Sequence, residues 1–155
     1  MKHCGRTGMH TRHAIFNAGN LVMQGVVIED SVHGGVSGPG QIHAAENIVT
    51  GTAHDSFVFS GSGSATHNLA LDLLGNEESA NYRCSKCEVA FTRNAAAGSS
   101  GYGFVFKPSL GGGFADNVAH SNLIGVGLLD LQPNLQSSFI LSRVLAYRSW
   151  YAQRD

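Results

Sequence analysis

The sequence predicts an all-β protein, a right-handed parallel β-helix (solenoid) of about six coils. Three observations carry this expectation: a short asparagine phrase that recurs once per coil, a composition rich in glycine and poor in charge, and brief apolar runs bounded by glycine or serine.

The phrase is a polar residue, then Asn, then small apolar residues alternating with others. It reads Glu46-Asn47-Ile48-Val49-Thr50-Gly51, His67-Asn68-Leu69-Ala70-Leu71, Arg93-Asn94-Ala95-Ala96-Ala97-Gly98 and Asp116-Asn117-Val118-Ala119-His120-Ser121. Successive asparagines lie 21, 26 and 23 residues apart, a drift that insertions at one corner would produce. Weaker copies flank these at Gly25-Val26-Val27-Ile28 and Arg143-Val144-Leu145-Ala146-Tyr147. Repetition of this kind assigns Asn47, Asn68, Asn94 and Asn117 a structural role. At a coil corner each tolerates left-handed backbone, and its amide bonds the Asn of the next coil to form a ladder.

Composition agrees. Charged residues make up 14% of the 155-residue chain and glycine contributes 20 residues, a balance that disfavours helical bundles and favours turn-rich β structure. The formal net charge of −1 supplies no field to gather nucleic acid or anionic lipid. Hydrophobic residues reach 43%, enough for one core, so residues 1–155 are read as a single segment.

Each phrase has a second strand-like half some residues later: Ser56-Phe57-Val58-Phe59, Gly103-Phe104-Val105-Phe106 and Val126-Gly127-Leu128-Leu129. Two strands per repeat are expected from these runs, with Phe57, Phe59, Phe104, Phe106 and Leu128 on one packed face. The final residues, SSFILSRVLAYRSWYAQRD, read as another repeat cut short, so a longer array is expected to continue beyond both ends. No apolar run is long enough to span a membrane.

The phrases TRNAAAGSSGYGFVFKP, FADNVAHSNLIGVGLLDL and IHAAENIVTGTAHDSFVFSG resemble the parallel β-helix repeats of the fibrocystin (polyductin) and fibrocystin-L family. That region is shared more distantly with hyaluronan-processing cell-migration-inducing proteins. The resemblance runs from about Lys2-His3-Cys4-Gly5 to Ala146-Tyr147-Arg148. It implies a very large single-pass protein of the plasma or ciliary membrane, with this segment on the extracellular face as an adhesive or spacing element. Implied partners are other segments of the same chain, neighbouring surface proteins and glycans. The hyaluronan-processing branch carries a His-Phe-His phrase where this chain has His13-Ala14-Ile15-Phe16-Asn17, which argues against transferring that activity. Two alternatives stay open: a carbohydrate-binding or carbohydrate-active β-helix, and a component of an extracellular filament or coat. No Asn is followed at the second position by Ser or Thr, so an N-glycosylation signal is absent from the segment.

Several groups are candidates for chemistry. Cys84-Ser85-Lys86-Cys87 lies next to a polar insertion, Gly75 to Arg83, and reads either as a short disulfide closing a corner loop or as two inert thiols. A zinc site would need two more ligands, available only from Cys4 and scattered histidines. His3, His10 and His13 lack acidic or thiolate company of the right spacing, and His120 reads as bonding a backbone carbonyl at a corner. Glu29-Asp30 and Glu77-Glu78 are the adjacent carboxylates, while Asp55, Asp72, Asp116 and Asp130 fall at different phases of the repeat. Gly61-Ser62-Gly63-Ser64 and Gly111-Gly112-Gly113 lack the Lys-Ser/Thr of a phosphate loop. Tyr147, Trp150 and Tyr151 offer ring faces that would suit either a sugar or a further coil. No catalytic residue, cofactor or metal is assigned.

Overall fold

The computed structural model describes residues 13–85, 87–107, 113–129 and 140–154. Its strands are all parallel and form three sheets of 7, 6 and 6 strands. Consecutive strands in the chain pass from the first sheet to the second to the third and back again, so among the described residues the chain winds as a β-solenoid of about five turns. No helix among the described residues is long and apolar enough to cross a membrane.

Each coil therefore has three strands rather than the expected two. In the second coil these are Gly34–Gly38, Gln41–Ala45 and Ile48–Thr50. The extra wall is the second sheet, which includes Gln41–Ala45, Ser62–Thr66 and Glu88–Thr92. Its strands are poor in β-branched residues, and their inward positions are often as small as Ala44, Ala65 and Gly63, so the usual strand signal is weak there. A further difference concerns the insertion at Gly75 to Arg83. Its first part turns back through Asn76 and Ser79, but Ala80–Ser85 is a strand of the first sheet, with Tyr82 and Cys84 inward. Polar neighbours at Asn81 and Arg83 conceal that alternation.

The corners follow a fixed rule. Residues with positive φ occur at Gly25, Glu46, His67, Arg93, Asp116 and Arg143, and again at Asp30, Gly51, Asp72, Gly98, Ser121 and Arg148. The first set bends the chain between the second and third sheets, and the second set bends it out of the third sheet. The left-handed residue at the first bend is the one before the asparagine, not the asparagine itself. The Asn is thereby released to turn its side chain inward. At Gly51 and Gly98 the absent Cβ also matters, because one placed there would meet the carboxylates of Asp30 and Asp72 on the preceding coil at 2.6 and 2.8 Å.

Inside, large side chains face small ones. Along the first sheet Phe57, Tyr82 and Phe104 stack ring on ring, with centroids 5.0 and 4.7 Å apart. The inward residues of the third sheet on these same coils are Ala70, Ala96 and Ala119, all fully buried. Tyr82 crosses the core far enough to donate its hydroxyl to the Ala95 carbonyl at 3.3 Å, and burial raises its phenol pKa well above the ordinary value. A second aromatic group, Phe59, Phe106, Phe91 and Phe114, meets edge to face at 4.9 to 5.2 Å. Phe57, Phe59, Phe104 and Phe106 all lie in this core, while Leu128 is half-buried at its margin.

Phe104 touches both aromatic groups, 4.7 Å from Tyr82 and 5.0 Å from Phe114. Phe104→Ala is expected to cost about 3–5 kcal/mol. Thermal denaturation followed by circular dichroism checks this; an unchanged midpoint would show that the aromatic column does not hold the coils together.

Candidate functional site

Among the described residues, two buried polar systems, a disulfide, the Asp55–Arg83 and Asp116–Arg143 ion pairs and a surface cleft are features from which a site could be built. The first polar system is the asparagine ladder at the bend between the second and third sheets. Oδ1 of Asn68 accepts from the backbone N–H and from Nδ2 of Asn47, at 3.0 and 2.8 Å. Asn94 does the same for Asn68 at 3.0 and 2.9 Å, and Asn117 for Asn94 at 2.8 and 3.0 Å. The second amide proton of each goes to a carbonyl, as from Asn94 to Ala65 at 2.8 Å and from Asn117 to Phe91 at 2.9 Å. At the ends the pattern closes. Val26 supplies only its N–H, to Asn47 Oδ1, and Asn117 turns to the Ala115 carbonyl of its own coil.

The second polar system, at the bend between the third and first sheets, has no counterpart in the sequence reading. Thr52 and Ser56 hydroxyls lie 2.9 Å apart, Ser56 donates to Asn81, and Asn81 donates to the Ala97 carbonyl. Asn122 accepts from the Ser99 N–H at 3.0 Å and donates to Ala96 at 3.1 Å. These amides and hydroxyls are satisfied inside the protein, so the ladder asparagines Asn47, Asn68, Asn94 and Asn117 are committed to holding the coils.

Cys84 and Cys87 are joined in a disulfide with Cα atoms 5.5 Å apart, and both are buried in the core. The bridge closes the bend between the first and second sheets of one coil. So short a loop removes modest entropy from the unfolded chain, about 2 kcal/mol. Among the described residues no group of three His, Cys, Asp or Glu is placed to hold a metal ion. His3, Cys4, His10 and Asp130 lie outside the described residues.

The carboxylates stand apart from one another. Asp55 holds Arg83 through two bonds of 2.7 and 3.1 Å and accepts the Ala80 N–H at 2.6 Å. Arg83 also donates to the Glu78 carbonyl, which pins the turn to the strand after it. Asp116 pairs with Arg143, whose hydrogen bond lowers the Asp116 pKa and is returned as a raised Arg143 pKa. The stabilisation from that lowered carboxyl is present above the ordinary carboxylate range and is lost as pH falls below that range through the lowered Asp116 pKa. Asp72 lies at the other bend, over Gly98. His120 ends a third-sheet strand rather than forming a corner. Its ring stacks on Tyr147 at 5.3 Å, with Nδ1 at 3.3 Å from the Ser121 hydroxyl rather than on a backbone carbonyl. His33 and His54 stack at 5.7 Å on adjacent coils.

One open cleft of about 350 Å³ runs along the bend out of the third sheet. Ser99 and Ser100, then Ser121, Asn122 and Leu123, then Arg148 and Trp150 line it, so three successive coils contribute. Trp150 is 86% exposed, Arg148 is exposed, and among the described residues no carboxylate or imidazole lies in the lining. A glycosidase needs two carboxylates about 5 to 10 Å apart across the scissile bond. This cleft offers a flat ring, a guanidinium and hydroxyls, a set that can hold a ligand but lacks a proton donor and acceptor for cleavage. Comparison with known protein families, curated proteins and solved structures finds no match.

The ladder makes a graded prediction. Asn94→Ala strands two donors of Asn68 and is expected to cost about 2–6 kcal/mol, whereas Asn47→Ala strands one donor, the Val26 N–H, besides removing the amide that serves the Met23 carbonyl and Asn68 Oδ1, and should cost about 1–3 kcal/mol. Urea denaturation of both variants tests the order; equal losses would mean that the ladder bonds do not set stability.

Proposed function

We propose that this chain is a structural or adhesive β-helix segment of a large fibrocystin-like protein on the extracellular face of the plasma or ciliary membrane. The observation that carries this reading is the use of the buried polar side chains: the asparagine amides hold coil to coil, in a continuous ladder from Asn47 to Asn117. Such a body is a rigid spacer. It presents outer surfaces to neighbouring segments and surface proteins, and it keeps their distance fixed. The buried Cys84–Cys87 disulfide supports an oxidising compartment. The family resemblance of the repeat phrases supplies the ciliary and cell-surface setting.

The cleft beside Trp150 favours a second reading, glycan binding. An indole face stacks on a pyranose ring, and the Arg148 guanidinium would pair with the carboxylate of an acidic sugar. Binding and cleavage are separate matters here, because the cleft lacks an acid and base.

Sequencing of the transcript on both sides tests the first reading. A signal peptide and immunoglobulin-like repeats upstream, with a membrane span downstream, would support it; a short cytosolic open reading frame would overturn it. The purified chain should neither shorten hyaluronan nor degrade other acidic polysaccharides, with or without calcium, by a reducing-end assay. Retention of acidic oligosaccharides that is lost in Trp150→Ala would raise glycan binding above the spacer role. Chain shortening that disappears on substituting His120 or Asp116 would make the protein an enzyme.

A further inference from the structure

The outer face of the third sheet carries a feature that the ladder does not use and that meets the cleft only at Arg148. The first residue of each of its strands points outward, and the register stacks Val27, Ile48, Leu69, Ala95, Val118 and Leu145 in one column. Val27, Ile48 and Leu145 are 41%, 37% and 53% exposed, and Leu69, Ala95 and Val118 between them are half-buried. At about 4.8 Å per strand the column is about 24 Å long. Isolated surface aliphatic residues are ordinary, but an unbroken row of them marks a contact surface.

We propose that this face pairs with the same face of a second copy, the two solenoids running antiparallel about a two-fold axis parallel to the strands. Shape is the first argument. Antiparallel pairing sets Val27 opposite Leu145, Ile48 opposite Val118 and Leu69 opposite Ala95, so a larger side chain meets a smaller one at every level. Charge is the second. Asp30 follows the first strand of the face and Arg148 follows the last, both exposed and both at the same bend of the coil. Antiparallel pairing brings them together twice by symmetry, and neither belongs to an ion pair within the described residues. At the opposite bend the same rotation sets Glu46 against Asp116, each already held within its own copy, by Gln24 and by Arg143. A parallel pair about the solenoid axis would instead set Arg143 against Arg148 and lose the Asp30–Arg148 contacts. Those contacts favour the antiparallel arrangement, in which each copy supplies the same patch.

A face of this length and one short strand wide buries less than the roughly 800 Å² per partner of a standard interface, so the dimer is weak and salt-sensitive. Sedimentation equilibrium of the full chain from low micromolar to several hundred micromolar should show mass rising from monomer toward dimer and no further. Ile48→Lys should abolish the rise. Asp30→Arg and Arg148→Asp should each weaken association about tenfold, and the two together should recover it to within about twofold, because the pair is reversed rather than removed. The exchanged pair also controls for folding, since a variant that had merely unfolded would not be rescued by a second surface change. A monomer at every concentration, association unaffected by Ile48→Lys, no recovery in the exchanged pair, or growth beyond the dimer would each overturn the proposal.

Discussion

Each coil bends sharply between its second and third walls through a residue in left-handed backbone, and in the four coils of the ladder that residue is Glu46, His67, Arg93 or Asp116, with φ of 58°, 54°, 56° and 56°. Such backbone costs an L-residue roughly 1–2 kcal/mol. The asparagine that follows offsets this cost by joining its coil to the next through side-chain and backbone donors. Because the amide is buried, losing a partner is more costly than a surface bond would suggest. Register follows from the same contact. With the four amides stacked, the strands on either side of each bend fall into line, and a slip of one residue would break the ladder and turn the core outward.

Once the bend is fixed, the remaining variation goes where it does least harm. From the first left-handed residue to the second the distance stays constant, as from Glu46 to Gly51, His67 to Asp72, Arg93 to Gly98 and Asp116 to Ser121. Differences in coil length, 21, 26 and 23 residues between successive ladder asparagines, are taken up outside that stretch. The turn at Asn76 to Ser79 is one such place, and the Asp55–Arg83 pair secures it. The constant part also sets the volume of the third wall. Ala70, Ala96 and Ala119 leave the space that Phe57, Tyr82 and Phe104 fill, so the stacked rings and the small residues are two sides of one packing solution.

The repeated elements were legible in the sequence and the singular ones were not. Asn47, Asn68, Asn94 and Asn117 stand in matching phrases, and the phenylalanine runs alternate in a strand pattern. The second wall escaped because Ser62–Thr66 and Gln41–Ala45 carry small and polar residues where a strand signal requires bulk. Tyr82 was hidden between Asn81 and Arg83. Asn81 and Asn122 lie 41 residues apart and share no phrase, so only the stacking of coils brings them to 3.5 Å. The cleft arises similarly. Its serines, Arg148 and Trp150 come from three coils with no common motif, and its form depends on the bends that precede them.

If the asparagine amides bond coil to coil, their protons are shielded from water, and hydrogen exchange of the side-chain amides reads that shielding. By nuclear magnetic resonance, the carboxamide protons of Asn47, Asn68 and Asn94 should exchange as slowly as the backbone N–H groups of Phe57 and Phe104, while those of exposed Asn20 exchange at the rate of free amide. Exchange of the ladder amides as fast as that of Asn20 would contradict the account.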